Sequence, residues 1–313
     1  MLNRFHKIRN WEYWPVYVVY TPAFIYWVGQ AIRFRSATFY RWVNPAIPNG
    51  GLHGDSKKEI YDLLPQWSFP KTTLVRKEQA FDSKHILQEM GLQFPVLLKP
   101  DIGCRGVDVK RVNSHEEIRE YHQASEKDYL IQEWIDLPNE LGLFYCKIPG
   151  EKRGRITGIT LKSFLTVTGD GRSSIKDLLQ KDPRSRMQIE KLEKTIDLNV
   201  ILPLNENKCM VPYGNHNRGT QFINGNQFIT SALEKYFENL LGSIPGFHYG
   251  RLDIRYNTLE ELEQGLNFKI IELNGAKSEP THIYDTSTSF WKGQREIFRH
   301  LQLFMCIVEK NRI

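Results

Sequence analysis

Two stretches near the carboxyl end carry the residues best suited to chemistry. In FHYGRLDIRY, Asp253 alternates with Leu252 and Ile254, and in FKIIELNG, Glu272 stands two residues before Asn274, so Glu272 and Asn274 project from one strand face. If the two strands are antiparallel neighbours, Asp253, Glu272 and Asn274 form a compact oxygen cluster suited to a hard cation such as magnesium beside nucleotide phosphates. A pair of acids on strands is more often a solvated face, and the apolar flanks of Glu272 argue against that here. A third stretch, FPVLLKPDIGCRGVDVKRV (residues 94–112), reads as an apolar strand bearing Lys99, a loop containing Gly103 and Gly106, and a second alternating run. In such a hairpin the glycines let backbone amides approach a phosphate while Lys99 adds charge from the strand.

Other polar groups are less committed. Lys57 and Lys58 fall in the first turn of a helix that Ser56 and Glu59 would cap, where cations oppose the helix dipole. Full solvation or a nearby anionic ligand accounts for them. GNHNRGTQF (residues 214–222) sets Asn215, His216 and Arg218 between two glycines, either as a contact for a substrate carboxylate or phosphate or as a plain surface loop.

Regular elements must position these groups. The pattern predicts helices after Ser56 and Ser114, a strand over YLIQEWID (129–136), alternating strands over 154–167 and a turn at Gly169 to Gly171. Helices over about 174–194 and 229–243 follow, then a strand, a capped helical turn from Thr258 to Gly265, a strand and a loop over 247–285.

The 313 residues, 41% apolar and 25% charged, suffice for a buried core and exclude a disordered or collagen-like chain. Cys104, Cys146, Cys209 and Cys306 are widely spaced, without a CxxC pair, which argues against a zinc site or a disulfide framework and suits a cytoplasmic protein. The net charge is +6, yet residues 1–41 hold Arg4, Lys7, Arg9, Arg33, Arg35 and Arg41 against Glu12 alone, leaving the remainder nearly neutral. Basicity confined to one aromatic segment does not make a nucleic-acid groove. That segment runs uncharged from Tyr13 to Ile32 with Pro15, Pro22 and Gly29 interrupting it. It reads as a helical hairpin, either packed on the body of the protein or lying on the inner, anionic membrane surface, rather than as a spanning helix.

In their order along the chain, FPVLLKPDIGCRG, YLIQEWID, VTGDGRSSIKDLL, GRLDI and IIELNG resemble the ATP-grasp superfamily, in its carboxylate-amine ligase branch. The resemblance covers residues about 54–285. It implies an α+β fold in which two subdomains, residues 54–135 and 136–313, clamp ATP, preceded by the aromatic helical segment of residues 1–53. It further implies that Lys57, Lys99 and the loop Gly103, Cys104, Arg105 and Gly106 meet ATP phosphates. Gln132, Glu133, Trp134 and Ile135 would meet adenine, and Glu140 the ribose. Magnesium would sit on Asp253, Glu272 and Asn274, with Arg251 at the reacting carboxylate and Lys162 at the γ-phosphate. The chain departs from the D-alanine ligases of the branch at its amino end and in GAKSEPTHIYD (275–285), where Lys277, Ser278, Glu279 and His282 offer a polar substrate pocket.

The expected activity is ATP- and magnesium-dependent joining of a small-molecule or lipid-like carboxylate to an amine through an acyl phosphate. Phosphoryl transfer to a hydroxyl and non-catalytic ATP binding at a membrane are the alternatives. A homo-oligomer is compatible with all three.

Overall fold

The computed structural model describes residues 2–79, 81–103, 106–212, 214 and 218–312, with side chains from His6 onward. Eleven strands are described: β1 Thr72–Val75, β2 Val96–Pro100, β3 Lys110–Val112, β4 Tyr129–Glu133, β5 Asn139–Cys146, β6 Arg155–Ser163, β7 Thr166–Thr168, β8 Asn207–Cys209, β9 Gln221–Asn224, β10 Tyr249–Tyr256 and β11 Phe268–Asn274. They form a four-stranded sheet in the order β1-β4-β2-β3, a five-stranded sheet in the order β11-β10-β5-β6-β9, and the pair β7-β8. The ladders are antiparallel, so the α+β class expected from the sequence is the class observed.

Alternation sorts the first sheet into two faces. Val96 and Leu98 of β2 and Tyr129 and Ile131 of β4 pack on Leu87 and Ile118 from the helices Ser83–Met90 and His115–Ala124. The intervening Leu97 and Lys99 therefore line the opposite side, a cleft between the sheets. The second sheet is sorted likewise: Leu141, Leu143, Leu252 and Ile254 meet Leu233, Phe237, Leu240 and Leu241, the i, i+4, i+7, i+8 stripe of the helix Ser231–Leu241. Its other face carries Glu140, Lys162, Arg251, Asp253 and Glu272 into the cleft.

The expected caps form. Ser56 Oγ accepts from the Glu59 amide at 3.1 Å and starts the helix Lys57–Asp62; Ser114 Oγ accepts from the Glu117 amide at 3.2 Å. Over 174–194 the continuous pattern is broken into Ile175–Gln180, Pro183–Arg186 and Ile189–Leu192. Asp182 caps a new helix there with Pro183 in its first turn.

The aromatic segment differs from the expected hairpin. Its turn falls before the apolar run, between the helix Leu2–Arg9 and the 19-residue helix Val16–Phe34, which continues through Pro22. The proline removes an amide on the exposed side, where water can satisfy the freed carbonyl. The inner face packs on the helix Phe290–Asn311: Gln294 Nε2 donates to the Val19 carbonyl at 2.9 Å, and Trp27 lies 4.7 Å from Phe39 and 5.2 Å from Phe304. Packing on the body, one of the two sequence readings, is thus realised by one face of the helix. No helix among the described residues is long and apolar enough to cross a membrane.

Candidate active site

The two sheets enclose a cleft of about 550 Å³. Its second-sheet wall is set by register. Asp253 of β10 stands opposite Glu272 of β11, and Arg251 opposite Asn274, so these four side chains share one face. On the other flank Asp253 is opposite Gly142, Arg255 opposite Glu140, and Glu140 opposite Lys162 of β6. The glycine matters. A Cβ at position 142 would lie 3.3 Å from Arg251 Cδ and 3.4 Å from Asp253 Oδ1, so its absence leaves those side chains their space.

The charges on this wall alternate in an unbroken chain. Arg255 Nε lies 3.2 Å from Glu140 Oε2, Lys162 Nζ lies 2.7 Å from Glu140 Oε1 and 3.1 Å from Asp253 Oδ2, and Arg251 Nε donates to Asp253 Oδ1 at 3.0 Å. All five residues line the cleft, with Glu140, Lys162 and Asp253 buried. Burial alone would raise the Asp253 carboxyl, but Arg251 and then Lys162 outweigh it and hold it below the usual carboxylate range. Burial likewise opposes the Lys162 charge, and Asp253 and Glu140 overcome it, raising the ammonium above its ordinary value.

The first-sheet wall is different. Lys99 Nζ, buried, donates to Tyr61 Oη at 2.8 Å and to the Ile271 carbonyl at 3.3 Å, and the Tyr61 hydroxyl in turn donates to that same carbonyl. Burial pushes Lys99 down to about 8, against the pull of Glu272 and Asp101. The helix Lys57–Asp62 thus connects the walls through Tyr61.

Lys57 lines the cleft, but its ammonium donates at 3.0 Å to each of the carbonyls of Pro100, Asp101 and Gly103, which fastens the base of the glycine loop. Its partner Lys58 sends its side chain away to Asp62, while its amide donates to Asp101 Oδ1 at 2.9 Å. Gly106 has a φ of +68°, the left-handed backbone that glycine adopts freely. Cys104 and Arg105 lie outside the described residues.

Gln132, Glu133, Trp134 and Ile135, which the resemblance sets at adenine, also line the cleft. Gln132 Nε2 donates to Thr72 Oγ1 at 2.7 Å, the Glu133 amide donates to the Lys71 carbonyl at 2.9 Å, and the Arg111 guanidinium sits 5.0 Å from the Trp134 ring centroid. Arg218, Lys277 and Ser278 are brought to the same cleft; Asn215 and His216 lie outside the described residues. Lys277 pairs with Asp55 at 2.8 Å, and Ser278 Oγ bridges the Arg251 amide and the Asn274 carbonyl. His282 is buried elsewhere, 3.2 Å from Glu296, and does not line the cleft.

The oxygen set fits a divalent cation in its chemistry. Glu272 is half-buried beside Lys57 and Lys99 and pairs closely with no described residue, and Asn274 adds a neutral oxygen on the same face. Asp253 is the third oxygen donor, with Oδ1 on Arg251 and Oδ2 on Lys162. Among the described residues there is no cluster of three or more His, Cys, Asp or Glu at metal-binding spacing, so the set depends on Asn274.

Sequence reasoning missed Tyr61, Asp101 and Arg255. Arg255 carried a signal, since Arg251, Asp253 and Arg255 alternate along one strand. Tyr61 carried none, because its role rests on a contact with a strand 210 residues away.

No family model matches the chain. It is 35% identical over 71 residues to the coenzyme gamma-F420-2:alpha-L-glutamate ligase of Methanococcus maripaludis, a stretch covering 22% of this chain and 24% of that one. The chain therefore spans about a quarter of the length of the curated relative it matches. Among solved structures it is similar to a bifunctional glutathione synthetase from Pasteurella multocida, at 12% identity and a TM-score of 0.42 over 80% of this chain and 36% of that one. It is also similar to a D-alanine–D-alanine ligase from Bacillus anthracis complexed with ATP, at 12% identity and a TM-score of 0.45 over 82% and 66%.

Proposed function

We propose that the protein is an ATP-grasp carboxylate-amine ligase that activates a carboxylate with ATP. The reading is carried by one observation: Lys99 of the first sheet reaches the backbone of β11 at Ile271, the residue before Glu272, so a buried ammonium, a glycine loop and a row of oxygen donors converge on one cleft. A carboxylate is a poor electrophile, and transfer of the γ-phosphoryl group to one of its oxygens makes phosphate the leaving group. The amine then attacks the carbonyl carbon, loses a proton, and phosphate departs.

In this reading Lys99 and the loop amides hold the ATP phosphates, and Lys57 keeps the loop's base in place through three carbonyls. Arg251 uses three N–H groups on Asp253 and the Glu279 carbonyl, and its remaining donors are available to the oxyanion of the tetrahedral intermediate, a contribution of about 3 kcal/mol by comparison with other oxyanion donors. Asp253 and Lys162 fix that guanidinium. Magnesium, when held by Glu272, Asn274 and Asp253, would neutralise phosphate charge. The acid and the amine are small molecules or lipid-like compounds that meet Arg218, Lys277 and Ser278.

The test is ADP release from magnesium and ATP across a panel of acids and amines, with hydroxylamine as a trap. Turnover that needs both an acid and an amine, with a hydroxamate formed from the acid, supports the ligase. ADP release with a hydroxyl compound and no hydroxamate would replace it with a kinase-like transfer.

A further inference from the structure

The helix Val16–Phe34 has two faces that are equally apolar, and only one of them is covered. Val19, Ala23 and Phe34 are buried against the body, whereas Tyr17, Phe24, Ile25 and Ile32 are 72%, 66%, 66% and 73% exposed. Val18 and Val28 lie on the same outward arc, and no charged side chain does; Arg33 is at its edge. The helix is about 28 Å long at 1.5 Å per residue. An apolar strip of that length on a surface signals an interaction.

We propose that this face docks flat on an anionic lipid surface. Charge identifies the occupant. Exposed Lys7 and Arg9 stand at one end of the strip, and exposed Arg33 and Arg35 at the other, with Arg33 sharing its charge with Glu309 at 2.6 Å. Glu12, the one acid of residues 1–41, is turned inward onto Arg184 at 2.7 Å. Basic ends around an uncharged aromatic and aliphatic middle match acidic headgroups over acyl chains. They do not match a second copy of this chain. With cations at both ends, pairing two such strips parallel or antiparallel sets like charges against each other. Spanning is also excluded by the fold, because the inner face is bound to the body and no described helix suffices to cross a membrane.

The same helix touches the site from its inner side. Tyr20 Oη lies 3.3 Å from Tyr284 Oη, which donates to Glu279 Oε2 at 3.3 Å, and the Glu279 carbonyl accepts from Arg251. Docking would hold the 275–285 loop roughly one helix diameter, about 10 Å, from the lipid surface.

The proposal is tested by co-sedimentation of the full chain with mixed phosphatidylglycerol and phosphatidylcholine vesicles and with pure phosphatidylcholine vesicles. The native chain is expected to sediment with the mixed vesicles and to dissociate as salt rises. The triple variant Phe24→Ser, Ile25→Ser, Ile32→Ser should bind at least about tenfold more weakly at an unchanged melting temperature, since all three residues are exposed. The variant Arg9→Gln, Arg35→Gln should lose part of its affinity and much of its salt dependence. A native chain that stays in solution, a triple variant that sediments equally, or a native dimer that the triple variant turns into a monomer would each overturn the proposal. Activity is not read, so failure here leaves the ligase reading untouched.

Discussion

The two walls of the cleft handle buried charge in opposite ways. On the second sheet Arg255, Glu140, Lys162, Asp253 and Arg251 neutralise one another in sequence, each carboxylate lying between two cations. On the first sheet Lys99 is about as deeply buried as Lys162, yet it donates only to a hydroxyl and a carbonyl, and its ammonium is held near pH 8 instead of above the ordinary lysine value. Identical side chains thus acquire different tasks from their neighbours. Lys162 shares its charge between Glu140 and Asp253; Lys99 is a cation without a bonded counter-ion, the state in which an incoming anion gains most.

The largest effect is expected at Asp253. Asp253→Asn removes the carboxylate that lies between Lys162 and Arg251, leaving three cations, Arg255, Lys162 and Arg251, with Glu140 as the one remaining acid of the chain. Stability should fall by about 3 kcal/mol in urea unfolding, and turnover by at least about a hundredfold. A variant with native stability and turnover would show that the alternating chain does nothing for the site.

The next effect is one of pH. Lys99 has a lower value in the folded protein than in the unfolded chain, so in the window above about 8 and below the ordinary lysine value the unfolded chain holds a proton that the folded one has released. Relative to a Lys99→Met variant, ligand-free stability should therefore rise with pH across that window. In the proposed site ATP affinity has the opposite sign: it should fall as pH rises through about 8, approaching tenfold per pH unit, because the ammonium proposed to hold phosphate is lost. Lys99→Arg, always protonated, should remove that decline. Urea unfolding of the ligand-free proteins at several pH values reads the stability, and calorimetric titration of ATP over the same range reads the affinity.

Tyr61→Phe acts on the same lysine. It leaves Lys99 with the Ile271 carbonyl alone and should cost about 1 to 2 kcal/mol of stability, with the pH midpoint of ATP binding moving lower. The smallest effect is expected from Ser56→Ala, about 1 kcal/mol in thermal unfolding, through loss of the cap on the helix that supplies Lys57 and Tyr61.

The sequence and the structure part company where side chains reach across large separations. Alternation alone placed Asp253, Glu272 and Asn274 on neighbouring strand faces, because period two and antiparallel pairing leave little else to decide. The Ser56 and Ser114 caps were legible for the same reason: they are local. The pairing of Lys162 with both Glu140 and Asp253 was not, since it depends on which strands neighbour β5 and in what register. Lys57 lines the cleft, and its bonds to three loop carbonyls are a partner set that no side-chain pattern announces. Pro22 and Gly29 suggested a turn inside the aromatic run; tertiary packing on the helix Phe290–Asn311 overrides that local preference.

In the proposed function ATP binds between Lys99, which has no bonded counter-ion, and the oxygen row of β10 and β11. Calorimetric titration of magnesium and ATP into the native protein and into Lys99→Met at pH 7 tests it most directly. One ATP per chain is expected, with affinity reduced at least about tenfold in the variant. Absence of binding to the native protein, or equal binding to both, would contradict it.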